Sequence, residues 1–127
     1  GVRFIDDSKS TSAQSLKAGL GSFEKPVILI AGGSEKGDPF ENMEDIFARQ
    51  IKHAEFIGQT KHILGAICDK VKKPYHYSES MIEAVQNAFK KASPGDTVLL
   101  SPGCASFDMF KDYLDRANKF KEAVDSL

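Results

Sequence analysis

The sequence contains no apolar run long enough to cross a bilayer; the longest, Val27-Ile28-Leu29-Ile30-Ala31, falls far short. It has no excess of charge of either sign. Seventeen Lys and Arg stand against eighteen Asp and Glu, a net charge of −1, so nothing draws the chain in general toward nucleic acid or an anionic membrane. It has only two cysteines, Cys68 and Cys104, far apart and outside any CxxC pattern. They read as reduced thiols, as expected of a cytoplasmic protein. His53, His62 and His76 lack metal-ligand spacing, so a zinc site is not expected. Neither GxxxxGK[ST] nor GxGxxG occurs, which excludes the two commonest phosphate-binding fingerprints. No internal repeat, low-complexity stretch or linker interrupts the chain. What remains is a globular profile, 41% hydrophobic and 28% charged over 127 residues, enough for one domain with one core. The sequence opens at Gly1 and passes at once into the strand-like Val2-Arg3-Phe4-Ile5. A piece cut from a longer protein at a domain boundary would start so, as would a processed or tag-cleaved whole protein.

Short strand-like runs fall at residues 2–5, 27–31, 55–58, 75–77 and 97–100, bounded by Gly, Pro or charge. Between them the apolar spacing is helical. Residues 13–20 follow Thr11 and Ser12, both plausible N-caps. Over residues 40–53, Phe40, Met43, Ile46, Phe47 and Ile51 recur at near-helical intervals, with acids early and bases late, as the helix dipole favours. Residues 60–71 repeat the pattern. Residues 80–92 open with Ser80 and carry Glu83 three positions on, a capping box. Residues 107–113 and 117–124 complete the helical stretches. Alternating strands and helices predict an α/β domain with a parallel sheet covered on both faces, and "VILIA" and "TVLLS" suit its buried centre. In such sheets ligands bind beyond the carboxyl ends of the strands. Here those ends carry "DDSKSTS", "AGGSEKGDPF", "GQT", "SES" and "SPGCAS".

Three of these segments can carry chemistry. In "IDDSKSTS", residues 5–12, Asp7 can accept from a hydroxylated ligand such as a ribose and Lys9 can neutralise a phosphate. Thr11 can help hold an anion at a helix entrance. The same composition also makes a solvated loop with a Ser/Thr cap. In "AGGSEKGDPF", residues 31–40, Gly32-Gly33 permits close backbone approach and Lys36 can pair with a carboxylate or phosphate; an ordinary turn with an exposed lysine reads equally well. In "SPGCAS", residues 101–106, small and hydroxyl side chains precede a predicted helix, a ready anion site. Cys104 invites a nucleophile reading, but no partner histidine can be named, and a small buried residue is the better expectation.

Together these segments resemble the carboxy-terminal domain of the Mur ligases, in particular members that add D-glutamate. That domain begins with a strand and a motif like "NDSKATN", here Asp6-Asp7-Ser8-Lys9-Ser10-Thr11-Ser12. A Gly-Gly loop before "K…F" follows, here Gly32-Gly33-Ser34-Glu35-Lys36-Gly37-Asp38-Pro39-Phe40. A motif like "LSPACASFDMF…F…RG..F" ends it. Here that is Leu100 through Phe110, reading "LSPGCASFDMF", then Tyr113, Arg116 and Phe120. Asp6 and Ser12 stand where Asn is usual, Gly103 where Ala is common, and Arg116-Ala117 where Arg-Gly is usual. The "DYAHTP", "DDAYNANP" and "DNPR"-like sequences of the sister ligases do not occur.

The resemblance implies a Rossmann-like three-layer sandwich, a mostly parallel sheet flanked by helices, with residues 1–127 forming the C-terminal domain of a three-domain ligase. It implies ATP-dependent addition of D-glutamate to UDP-N-acetylmuramoyl-L-alanine in peptidoglycan synthesis, through an acyl phosphate. ATP and Mg2+ would be held mainly by a central domain. Carried over residue by residue, Thr11, Lys36, Ser106 and Phe107 would lie at the D-glutamate carboxylates. Tyr113 takes the position of a family phenylalanine near the same amino acid. Asp7 and Lys9 would face the nucleotide, with Lys9 near the phosphates as the catalytic residue. The chain alone is expected to ligate nothing. A function of another class stays open: a free-standing Rossmann-like binding or regulatory module, since fold does not fix function. Such a module would not need Lys9, Lys36 and Ser106 to converge.

Overall fold

A computed structural model of the chain describes residues 1–34, 40–106 and 108–127. Chain order is β1 (Arg3–Asp6), α1 (Ala13–Gly21), β2 (Val27–Ala31), α2 (Glu44–Gln50), β3 (Ile51–Phe56), α3 (Lys61–Val71), β4 (Tyr75–Tyr77), α4 (Met81–Lys91), β5 (Thr97–Leu100) and α5 (Tyr113–Asp125). The five strands form one sheet in the order β1-β5-β2-β3-β4, and every pairing is parallel. With helices on both faces this is the expected Rossmann-like sandwich. The apolar run of β2 is buried along its whole length because its side chains serve two cores in alternation. Val27, Leu29 and Ala31 join Leu16, Leu20, Phe47, Phe56 and Leu64 beneath α1, α2 and α3. Ile28 and Ile30 join Val85, Val98, Leu100 and Phe120 beneath α4 and α5.

Local signals place most boundaries. Ser12 caps α1, its side chain accepting from Ser15 N, and Ser80 caps α4, accepting from Glu83 N. The returning half of the α4 box goes one residue further out, Glu79 N donating to the Glu83 carboxylate at 3.1 Å. Asp6, another departure from the usual Asn, accepts from Ser8 N at 2.9 Å and turns the chain away from β1.

Two expectations are corrected. The helix expected over residues 40–53 is confined to α2, and β3 starts at Ile51, four residues before the predicted strand. Ile51 continues the helical spacing from Phe47, but it is fully buried and pairs with Val27, so sheet burial overrides the local period. The register then shifts, Ile28 pairing with His53, which leaves Lys52 as an extra residue whose ammonium reaches Asp96 at 2.5 Å. The second correction concerns residues 107–113. Residues 108–112 are turn and bend, and α5 runs unbroken from Tyr113 with Asp112 as its N-cap, accepting from Asp115 N at 2.8 Å. The cap lies inside the predicted helix, and the expected gap before residue 117 is helical.

Neither cysteine is in a disulfide. Burial, with the charge of Asp69 added, pushes the Cys68 thiol up to about 12. In the folded protein at neutral pH Cys68 should therefore resist alkylation by iodoacetamide and react only on denaturation. Mass-spectrometric labelling of Cys68 under native conditions at the denatured rate would contradict this. No helix among the described residues is long and apolar enough to cross a membrane.

Candidate functional site at the carboxyl edge of the sheet

The loops that leave the carboxyl ends of β1, β2, β3 and β5 are bonded to one another. Asp7 N donates to Leu100 O at 2.7 Å, and Gly103 N donates to Ser10 O at 2.8 Å, joining the loops of β1 and β5. The Ser101 hydroxyl adds a bond to Asp7 Oδ2 at 2.9 Å. Gly32 N donates to Pro102 O, and Ser34 N to Ala105 O in an isolated antiparallel bridge, joining the loops of β2 and β5. Asp108 N donates to Ser34 Oγ at 2.8 Å, and the Asp108 carboxylate accepts from Gln59 N at 2.9 Å. Gly33 N donates to Thr60 Oγ1, and Thr60 N returns a bond to Gly33 O. These segments carry few apolar side chains, so their order rests on backbone pairing, and small residues permit the approach.

The expected site residues distribute as follows. Asp7, Lys9 and Tyr113 line one cleft of about 240 Å³, shared with Asp6, Ser8, Leu114 and Ala117. Lys9 is exposed and Asp7 half-buried with one carboxylate oxygen held by Ser101. Tyr113 is 40% exposed at the first position of α5. Thr11 is half-buried, just ahead of the α1 cap. Ser106 is buried in the β5 loop, and its carbonyl accepts from Met109 N and Phe110 N, closing a single turn. The anion site imagined at the start of a helix after Ser106 thus has one turn behind it and no regular helix. Lys36 and Phe107 lie outside the described residues. Cys104 is buried, its sulfur 3.2 Å from Thr60 Oγ1, in keeping with a packing role.

Two features escaped the sequence reading. Arg116, noticed only as part of a motif, is 0% exposed. It donates from Nη1 to Cys104 O at 2.9 Å and from Nη2 to Ser8 O at 3.1 Å. Its Nε has no hydrogen-bond partner among the described residues. Burial lowers its proton affinity, and the nearby carboxylates of Asp108 and Asp6 act the other way. The available signal was its spacing four and seven residues before the buried Phe120 and Ala123, which puts it on the inner face of α5.

The second feature is Glu55, fully buried on β3. His53 Nε2 lies 2.6 Å from one carboxylate oxygen; His76 Nδ1 at 2.9 Å and Ser78 Oγ at 2.6 Å meet the other. Asn87 of α4 approaches at 3.4 Å. Burial would raise the Glu55 carboxyl, but the hydrogen bonds from His53, Ser78 and His76 outweigh it and hold the group below its ordinary value. Residues spread from 53 to 87 give no local pattern, so nothing in the sequence announced the cluster.

A family model described as "Mur ligase, glutamate ligase domain" matches residues 1–104. Among curated proteins, the chain is 41% identical to a "UDP-N-acetylmuramoylalanine--D-glutamate ligase" of Caldicellulosiruptor bescii, aligning over 100% of this chain and 28% of that protein. It is 44% identical to the protein of the same name from Nitrosomonas europaea, over 98% of this chain and 26% of the relative. For that of Clostridium acetobutylicum the identity is 43%, over 100% and 29%. The chain therefore spans under a third of the length of these relatives. With a family match over most of its length, and relatives aligned over nearly all of it, the chain belongs to the Mur ligase family, in the part described as the glutamate ligase domain.

Proposed function

We propose that this domain binds free D-glutamate at the carboxyl edge of its sheet and presents the amine to an activated carboxyl group held by other domains of a longer ligase. The reaction would be the ATP-dependent addition of D-glutamate to UDP-N-acetylmuramoyl-L-alanine, in the bacterial cytoplasm, on the path to peptidoglycan. One observation carries the reading. Lys9, Thr11 and Ser106 sit on two loops bonded to each other at one sheet edge, in a chain that aligns end to end with proteins named as D-glutamate ligases. Thr11, Ser106 and, from the resemblance, Lys36 and Phe107 would receive the two carboxylates, with Tyr113 beside the amino acid. The domain's work is positioning and charge neutralisation.

ATP supplies the phosphoryl group that activates the acyl carboxylate. The cleft lined by Asp7 and Lys9 fits part of such a ligand. It offers an exposed ammonium for phosphate oxygens and a carboxylate for a hydroxyl, in about 240 Å³. That is below the roughly 300–1,000 Å³ of a pocket that encloses a whole ligand. Lys9 would be the catalytic residue here, neutralising charge as phosphate departs. Among the described residues no group of three or more His, Cys, Asp and Glu side chains could hold a metal ion, and we assign Mg2+ to none of them.

The test is an NMR titration of the chain with D-glutamate, with L-glutamate as control, beside kinetics of the full-length ligase carrying Ser106→Ala. Amides near Thr11 and Ser106 should shift with the D-isomer only. The substitution should weaken D-glutamate binding by about 1–3 kcal/mol, the range for a charge-assisted hydrogen bond. An unchanged KM for D-glutamate would remove Ser106 from the site. ATP-dependent phosphate release by the 127-residue chain alone, with substrate present, would overturn the view that it cannot ligate.

A further inference from the structure

Arg116 is the largest fully buried side chain described, and it is a cation. Buried arginines are ordinarily paired with carboxylates. This one forms no ion pair among the described residues. Its two terminal nitrogens each donate to a backbone carbonyl instead, one on the loop after β1 and one on the loop after β5. Those loops are separated by most of the chain, yet they carry the residues proposed to meet phosphate and amino acid. A third loop closes on the same group: a Cβ at Gly33 would stand 3.3 Å from Arg116 Nη1 and 2.3 Å from Ala105 O. Packing alone does not account for a buried charge here, because an apolar side chain on this face of α5 would avoid the desolvation cost. A planar fork with donors at fixed separation is what two carbonyls on different loops require, and an ammonium does not supply it.

We propose that Arg116 is a positioning residue for the ligation site. It fixes the loop bearing Lys9 and Thr11 against the loop bearing Ser106, so that amino acid and phosphate contacts are held in one geometry. The inference rests on the reading of the site given above. Ser8 and Cys104 are the grip points, and Lys9 and Ser106 lie one and two residues beyond them. A small displacement of either loop therefore moves a ligand contact directly.

The test uses the full-length ligase with Arg116→Lys, which keeps the charge and loses the fork, and Arg116→Gln, which keeps donors and loses the charge. KM for D-glutamate should rise about tenfold or more in the lysine variant, the scale set by a misplaced binding group, while KM for the UDP-linked substrate stays within about twofold. A residue that only stabilised the fold would lower the amount of active enzyme and leave KM for D-glutamate unchanged, and that result overturns the proposal. Should neither variant fold, the unsubstituted ligase decides by hydrogen exchange. Saturating D-glutamate should slow the amides of Ser10 and Gly103 together, and slowing on one loop alone overturns the proposal. If the unsubstituted ligase shows no D-glutamate-dependent turnover, the functional reading fails and this inference fails with it. Normal turnover with unchanged KM in the variants removes this inference only.

Discussion

Replacing Glu55 with alanine should lower the unfolding free energy by about 3–5 kcal/mol, the range for breaking a buried charge cluster by removing one partner. The carboxylate is fully buried and is met by His53, His76 and Ser78 at 2.6–2.9 Å. Its removal strands two buried polar groups, His53 and Ser78, and leaves a cavity. Glu55→Gln should cost less, because an amide oxygen still accepts from one side. The pH dependence has a definite sign. Hydrogen bonds hold the folded carboxyl below its ordinary value, so its stabilising contribution is complete above the unfolded pKa of about 4.3. It is lost as the pH falls through the folded pKa. The stability difference between the parent and Glu55→Gln should therefore be constant at neutral pH and shrink in that acid range. Urea titrations at neutral and acid pH measure it, and a difference that grew on acidification would refute the assignment.

Gly32→Ala should be similarly damaging, by a different route. Gly32 has φ +115°, and a Cβ built there would stand 2.0 Å from the carbonyl oxygen of Ile57. Ile57 is backbone-bonded to Ala31, and Gly32 N to Pro102 O, so neither side can retreat without breaking a bond between strand-end loops. The backbone conformation alone costs an L side chain about 1–3 kcal/mol, and with the overlap the total should reach about 3 kcal/mol or more. A drop in the urea midpoint with unchanged m-value is the expected readout. In the full-length ligase, turnover should fall even where the variant is folded, because the loops after β2, β3 and β5 shift together. A midpoint within error of the parent would show that the loop relaxes cheaply.

The sheet was legible where residues repeat a pattern in the chain itself. The runs 27–31 and 97–100 coincide with β2 and β5, where two-sided burial demands continuous apolar strands, and the run 75–77 with β4, an edge strand of half-buried tyrosines. α1 and α4 were legible through their caps and apolar spacing, and α3 through its apolar spacing alone. The start of β3 was hidden because Ile51 satisfies helical spacing and sheet burial equally well in sequence, and only its pairing with Val27 decides. Residues 107–113 misled for a related reason: Phe110 and Tyr113 are three apart, as on a helix, but Asp112 between them caps α5. Of the candidate site residues, Asp7, Lys9 and Tyr113 line one cleft. The buried charged groups were not readable. Arg116 and Glu55 meet partners that are mostly far away in sequence, and an arginine or glutamate gives no sign from its neighbours that it is buried.

The strand order β1-β5-β2-β3-β4 also sets an order of assembly. β2, β3 and β4 follow one another in the chain and lie side by side, so they can build a nucleus from nearby contacts as synthesis proceeds. β1 has one neighbour only, and that neighbour is β5; the bond from Ser101 to Asp7 closes a separation of 94 residues. Of these five strands, the one synthesised first is therefore among the last to be paired. Loop closure over such a span is slow, and an unpaired strand is exposed to wrong partners while it waits. Lys9 and Thr11 travel with that strand, so the half of the proposed ligand site they would supply comes into being only when the sheet is finished.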